Sequence, residues 1–308
     1  MKFSVYRNKI TYISIVLSLL FNMSCASDDQ IPNSRDAIYL SIPDSHFETK
    51  LIEQGIDSDG VVNQKILKSD AEGISHLDLN LNSFSDGISD LTGIEGFINL
   101  KLLSASNQEL EQIDLSYNTL LDTLYLLGNK LSSIDLSNNT KLIFVDIQIN
   151  DFSASSSIIG LSNATGLKDL DISHNYLEDF SIHNESLEIL HMSHNELKTL
   201  NTDGLINLKH VFVLSNKLEI VDFSTNTSLE TLLLTANRLE NIELYNNTSL
   251  THLYMASNSL SNLDVSYNSE LIDLRIDRNP NLTCVKIKKD QNPYIMKSDY
   301  QELNTICN

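Results

Sequence analysis

Apolar positions recur along this chain in one register. The pattern Leu-x-x-Leu-x-Leu-x-x-Asn-x-Leu, or a close variant, occurs ten times, mostly 21 residues apart. A clear copy is Leu121, Leu124, Leu126, Asn129, Leu131, and the next is Leu142, Val145, Ile147, Asn150, Phe152. Further copies start at Leu167, Leu187, Leu208, Leu229, Leu250 and Leu271, with looser ones at Ile74 and Leu100. A period in this range predicts a solenoid of stacked turns, because one repeat cannot bury its apolar face alone. Within each copy apolar and polar residues alternate with period two, which predicts a short strand. In Leu124-Tyr125-Leu126 both Leu point inward and Tyr125 points out.

The Asn that follows each strand suits a turn, since its amide can satisfy backbone groups that would otherwise be buried unpaired. Asn129, Asn150, Asn175, Asn195, Asn216, Asn237, Asn258 and Asn279 are therefore expected to stack as a ladder. Gln108 replaces Asn in the second repeat and is expected to weaken that turn. A second alternation follows ten residues later, as in Ile113-Asp114-Leu115, Ile134-Asp135-Leu136 and Leu263-Asp264-Val265. A 21-residue repeat has no room for a full helix there, so a short extended segment or strand is expected on the convex side. The spacing from Leu142 to Leu167 is four residues too long, and Ser153–Ser157 is expected to bulge outward there as a loop. Residues 36–73 break the pattern. Phe47, Leu51 and Ile52 follow Asp44 and Ser45, either of which suits an N-cap, and Gly55 suits a stop. This predicts one short helix sealing the open end of the stack.

Composition changes the picture in two places. The formal charge is −20, a surface that repels nucleic acid and anionic membranes, so no nucleic acid partner is expected. The first residues differ: Lys2, Arg7 and Lys9 precede an apolar run from Ile10 to Phe21, then Ser24 and Cys25. This resembles a bacterial lipoprotein signal over 1–24, with lipid attached at Cys25 and a polar tether over 25–35. The Ser/Asp tract after Cys25 resembles a surface-export tag, so an outer-membrane, surface-exposed location is expected. Beyond Cys25 only Cys284 and Cys307 remain. An exported pair near one end reads as a disulfide, stabilising by about 3 kcal/mol on the chain-entropy model.

With these motifs in place, the chain resembles the leucine-rich repeat proteins, specifically short-repeat, internalin-like surface lipoproteins of the Bacteroidota type. Ile42-Pro-Asp44, Phe47-Glu48 and Gly55-Ile-Asp-Ser-Asp-Gly60 resemble that group's N-terminal cap. Leu91–Leu100 resembles its entry repeat, and Asn279-Pro-Asn-Leu-Thr-Cys284 its terminal repeat. The resemblance implies a right-handed leucine-rich repeat solenoid with a parallel concave β-sheet. It divides the chain into a cap over 36–73, repeats over 74–283 and a disulfide-bonded cap over 284–308. The motif encodes packing and not recognition, so it names no ligand.

Recognition is expected from the outward residues of the strands. Tyr125, Asp146, Asp171, His191, Phe212, Leu233 and Tyr254 form one column, with Phe144 beside it. Large apolar side chains on an exposed face mark a contact surface, and Phe212, Leu233 and Tyr254 are expected to touch. The expected partner is a protein or a glycan; the alternative is a scaffold or accessory lipoprotein of an outer-membrane complex. No motif calls for catalysis or a cofactor. His174 and His194 share a column, but no third or fourth ligand follows from the spacing, so no metal site is expected. Asp57, Asp59 and Gly60 fail the calcium-loop spacing and suit Asx-type turns. Asp222, Glu243 and Asp264 stack on the convex side, where solvation is the expected relief for their repulsion. Triplets such as Asn138-Asn139-Thr140 read as by-products of the repeat.

Overall fold

A computed structural model describes residues 38–80 and 87–307. The expected signal segment 1–24, Cys25 and the tether 25–35 lie outside the described residues. The repeats form one parallel sheet of eleven three-residue strands, paired in chain order. They are His76–Asp78, Leu102–Ser104, Thr123–Tyr125, Phe144–Asp146, Asp169–Asp171, Ile189–His191, His210–Phe212, Thr231–Leu233, His252–Tyr254, Asp273–Arg275 and Tyr294–Met296. The register is one repeat to the next without slip: Leu124 opposes Val145, which opposes Leu170. A slip by one residue would turn every central Leu outward, so burial pins the register. The central side chains of the first ten strands, including Leu103, Leu190, Leu232 and Leu274, are fully buried, and Ile295 of the last is partly buried. Each stabilises by roughly 1.5–3 kcal/mol.

The opposite side carries shorter ladders: Ile134–Asp135 with Ile158–Ile159, Asp179–Ser181 with Thr199–Asn201, and Leu263–Asp264 with Cys284–Lys286 and Glu302–Asn304. Short strands and extended segments thus occupy the convex side, as the repeat length requires.

The strand-end Asn ladder forms and is buried. Asn150 shows the pattern: its Nδ2 donates to Leu126 O (3.0 Å) and Ile147 O (3.1 Å), and its Oδ1 accepts from Leu131 N–H (3.0 Å). One side chain ties its own turn to two points of the turn before. Gln108 corrects the expectation of a weak turn. It is buried, donates to Leu79 O and Ser106 O, and accepts from Ile88 N–H at 2.8 Å. Gln301 serves likewise at the far end, donating to Ile276 O.

The residue before each ladder position is left-handed, with φ between 54° and 69° at Asn107, Gly128, Ile149, His174, His194, Ser215, Ala236, Ser257 and Arg278. That turn folds the amide back under its strand. Only Gly128 adopts it freely; the others carry local strain of about 1 kcal/mol or more.

A second, convex ladder was not foreseen. Asn118, Asn139, Asn184, Asn226, Asn247 and Asn268 are buried and donate to carbonyls of the turn before, as Asn247 does to Phe223 O (3.0 Å) and Asn226 O (2.9 Å). The Asn-x-Ser/Thr triplets are its trace. The ladder is replaced by a 3-10 turn at Ile94–Gly96 and at Leu161–Asn163, each entered through a left-handed glycine, Gly93 and Gly160. A Cβ on Gly160 would meet Ser137 N at 2.2 Å, so that turn needs glycine. The segment Ser153–Ser157 is not an irregular loop throughout. It forms a 3-10 turn at Ser155–Ser157, and Ser155 Oγ donates to Ser181 O in the next repeat (3.2 Å).

The N-terminal cap contains the expected helix, Ser45–Glu53, and a second short one, Lys68–Glu72. Asp44 is the N-cap. One carboxylate oxygen accepts from His46 N–H and Phe47 N–H, and the other from Ser89 and Asp90 N–H, so one side chain joins the cap to the first repeats. Glu48 is fully buried and accepts three backbone N–H bonds, from Asn63, Gln64 and Lys65. Phe47 packs on Phe97, ring centroids 6.3 Å apart.

At the other end Cys284 and Cys307 are bonded, Cα atoms 5.8 Å apart. Within the expected cap, residues 284–307 carry more repeat structure than a cap requires, extending the long sheet by Tyr294–Met296.

Candidate functional site

The strand register places the expected surface residues in two outward columns. In the central one Tyr125, Asp146, Asp171, His191, Phe212, Leu233, Tyr254 and Arg275 oppose one another in succession. Beside it run Phe144, Asp169, Ile189, His210, Thr231, His252 and Asp273. Most of these side chains are half-buried, because neighbours one strand away cover their flanks. Tyr125 packs against Phe144, ring centroids 4.9 Å apart. His191 stacks face to face with Phe212, 4.5 Å apart and 3° from parallel. Phe212 thus finds its ring partner in His191, while Leu233 lies in register between Phe212 and Tyr254.

Asp146 departs from a freely exposed site residue: it is 8% exposed, and Gln148 donates to it from its N–H and its Nε2, both at 3.2 Å. Asp171 opposes Asp146 in register, and Asp169 sits two residues away on the same strand. Burial pushes the Asp146 carboxyl above its ordinary value, and the charges of Asp171 and Asp169 add to that. Burial also raises Asp169, with Asp171 adding and His191 opposing. His191 Nε2 lies 3.8 Å from Asp169 Oδ1, which is buried without a hydrogen-bond partner. Carboxylates in register on neighbouring strands repel one another when both are ionised. The middle of the face therefore stores negative charge at a cost to folding.

The C-terminal end is built differently. Arg275 lies over the Tyr254 ring, 4.0 Å from its centroid, and donates to Asp273 Oδ2 at 3.0 Å. Tyr254 Oη donates to the same oxygen at 2.7 Å. Burial works against the Asp273 charge, yet the bonds from Arg275 and Tyr254 outweigh it and hold the carboxyl below its ordinary value. Asp169, Asp273 and Arg275 complete the face beside the expected residues, and it is they that set its charge pairing. The signal was available: in a parallel sheet, residues two apart on one strand and in register on the next must meet.

The other candidates resolve as follows. His174 and His194 stack at 4.4 Å and are exposed. Among the described residues no group of three or more His, Cys, Asp or Glu is arranged to hold a metal ion. Asp57 and Asp59 accept from the N–H two residues on, as Asx turns do. Asp222 and Asp264 cap their own turns through Ser224 N–H (2.7 Å) and Ser266 N–H (3.0 Å), and Lys286 pairs with Asp264. A depression lined by Ser155, Ile158, Ser181, His183 and Gly204 opens on the convex side, away from the ring and carboxylate columns.

No family model matches the chain, and no curated protein matches it. Solved structures do. The functional domain of InlJ from Listeria monocytogenes, which includes a cysteine ladder, superposes with a TM-score of 0.70 at 22% identity, over 87% of this chain and 63% of that one. A leucine-rich repeat protein of Leptospira interrogans gives a TM-score of 0.58 at 17% identity, over 71% of this chain and 63% of that one. The chain thus spans less than two thirds of either. The LRIM1/APL1C complex gives a TM-score of 0.56 at 20% identity, over 71% of this chain and 44% of that one. Identities this low carry the fold and nothing finer. By that measure, and by its repeating sheet and Asn ladder, the chain folds as a leucine-rich repeat solenoid.

Proposed function

We propose that this chain is a non-catalytic binding module that holds a protein partner on the concave face of its sheet. The observation that carries the reading is the row of rings and carboxylates at outward positions from Tyr125 to Tyr254. These side chains contribute little to the core, whereas the Leu beneath them is fully buried. Rings in such a place suit a protein contact. The fold offers an extended concave surface for it, and one structural neighbour, LRIM1/APL1C, was solved as a complex. Anchoring at Cys25 in the outer membrane belongs to the same proposal. It is supported by the basic start, the apolar run and the position of Cys25, and release of a Cys25→Ser variant from membranes is its test.

A photo-crosslinking residue at Phe212, with one at the convex Tyr267 as control, tests the binding face. Adducts from position 212 and none from 267 are expected. Adducts from 267 alone would overturn the concave reading in favour of an accessory scaffold that uses its convex side. An adduct at 212 that is lost to glycosidase and spared by protease would replace the protein partner with a glycan.

A further inference from the structure

Two stretches of the concave face hold the same ingredients in different states. At the C-terminal end a carboxylate, a ring and a guanidinium come together within the chain: Asp273, Tyr254 and Arg275. In the middle, Asp146, Asp169 and Asp171 lie between the Tyr125–Phe144 ring pair and the His191–Phe212 stack. Among the described residues no Lys or Arg pairs with any of the three; His191, 3.8 Å from Asp169, is the one basic side chain within ion-pair distance. Asp169 Oδ1 is buried and accepts no hydrogen bond. Asp146 is held under cover by Gln148 and opposes Asp171 one strand away.

We infer that the middle of the concave face receives a basic side chain, Lys or Arg, of the protein partner, seated between the two ring pairs against Asp146, Asp169 and Asp171. The inference rests on the concave-face reading and deepens it by naming the partner's chemistry. The physical argument is complementarity. Like charges gathered on one strip destabilise the free protein, and a cation that lands among them removes the repulsion while its stem covers the rings. Rings on two sides favour a guanidinium or ammonium on a carbon stem over a bare ion. Arg275 shows within the same sheet how a guanidinium sits when ring and carboxylate are offered together. The four strands from Tyr125 to His191 set the footprint, about three spacings of 4.8 Å, so one extended peptide segment with one central basic residue fits.

The test uses the full chain and two probes, N-acetyl-arginine amide and its neutral isostere N-acetyl-citrulline amide, followed by amide chemical shifts. Saturable shifts are expected at Asp146, Asp169 and Asp171 with the arginine probe, at least tenfold weaker with the citrulline probe. Asp146→Asn with Asp171→Asn should abolish them. Should that double variant lose its fold, His191→Arg serves instead: it supplies an internal cation beside Asp169, as Arg275 does for Asp273, and should block the probe in a folded protein. Equal shifts from both probes would overturn the inference. So would arginine shifts spread evenly onto convex carboxylates such as Asp114 and Asp135, or probe binding undiminished by His191→Arg. In each of these outcomes a position-212 crosslink would leave the concave reading standing; loss of that crosslink alone would remove the reading itself.

Discussion

The middle and the C-terminal end of the concave face rest on one scaffold and differ in how their charge is met. Leu170 lies under Asp169 and Asp171, Leu274 under Asp273 and Arg275, and both are fully buried. Above Leu274 the carboxylate is answered from within by Arg275 and Tyr254. Around Leu170 three carboxylates gather with neutral donors, Gln148 to Asp146 and Ser173 N–H to Asp171, and with His191 beside Asp169, but with no Lys or Arg pair among the described residues. The difference teaches that the repeat fixes where side chains stand and leaves their charge free to vary. A region that is satisfied reports structure; a region that is not reports a demand for something external.

The largest effect should not separate the two regions. Leu170→Ala and Leu274→Ala should each lose about 2–5 kcal/mol in denaturant unfolding, because both open a cavity in the same spine. A loss at one that is several times the loss at the other would break the premise of a common scaffold.

The next effect should separate them in sign. Asp273→Asn removes the charge that Arg275 and Tyr254 donate to and turns one acceptor oxygen into an NH2 group, and should cost about 1 kcal/mol. Asp171→Asn removes one like charge from a crowded strip and should leave stability unchanged or raise it. Calorimetric melting of both variants at one pH decides this, and destabilisation by both to the same degree would dissolve the comparison.

Acidity sharpens the contrast. Asp146 and Asp169 have carboxyls raised in the folded state. Their favourable contribution is complete below the ordinary carboxylate range, near pH 3.8, and is lost as pH rises through the raised values. Asp273 is lowered, so its contribution is present above that range and lost as pH falls through the lowered value. Relative to the natural chain, Asp146→Asn should gain stability between about pH 4 and 7, while Asp273→Asn should lose it there. Melting temperatures at pH 3, where the two should converge, and at pH 7, where they should diverge, check the signs.

The smallest effect belongs to the edge of the same sheet. Glu188 bridges Lys168 and Lys209 at 2.6 and 2.7 Å, and those bonds pull its carboxyl down to about 2. Exposed pairs of this kind are screened by salt and contribute little. Glu188→Gln should shift the melting temperature only slightly, and by less at high salt than at low salt. A shift as large as that of Asp273→Asn would mean that edge pairs, and not the face, govern the charge balance.

How much of this was legible in the sequence depends on periodicity. The Leu positions, the strands, the first Asn ladder and the disulfide all follow from a pattern that repeats or from a count of two cysteines. The second Asn ladder was visible as Asn139, Asn226 and Asn247, yet these sit beside Ser or Thr and read as incidental. Burial, which a sequence does not display, is what gives them their work. Gln108 was misjudged because residue type was weighed without chain length. The repeat before it is longer than most, and the extra methylene lets the amide reach Leu79 O and Ser106 O while it accepts from Ile88 N–H. The Ser153–Ser157 insertion was expected to stand out, but Ser155 and Ser157 satisfy neighbouring backbone groups and keep it packed. The face was legible as a list of outward residues and not as pairs. Which ring stacks on which, and which carboxylate has a cation, depends on cross-strand rotamers that no single repeat encodes.

The central claim, that this concave face holds a protein partner, is tested most directly by affinity measured across alanine variants on the two sides of the same turns. Tyr125→Ala, Phe212→Ala and Tyr254→Ala change the concave face; Tyr245→Ala and Tyr267→Ala change exposed convex positions. With folding verified for each, at least one concave variant should weaken partner binding by more than about 1 kcal/mol, roughly fivefold, while both convex variants bind as the natural chain does. Binding that survives all three concave substitutions and falls with the convex ones would contradict the account and establish the convex side as the working surface.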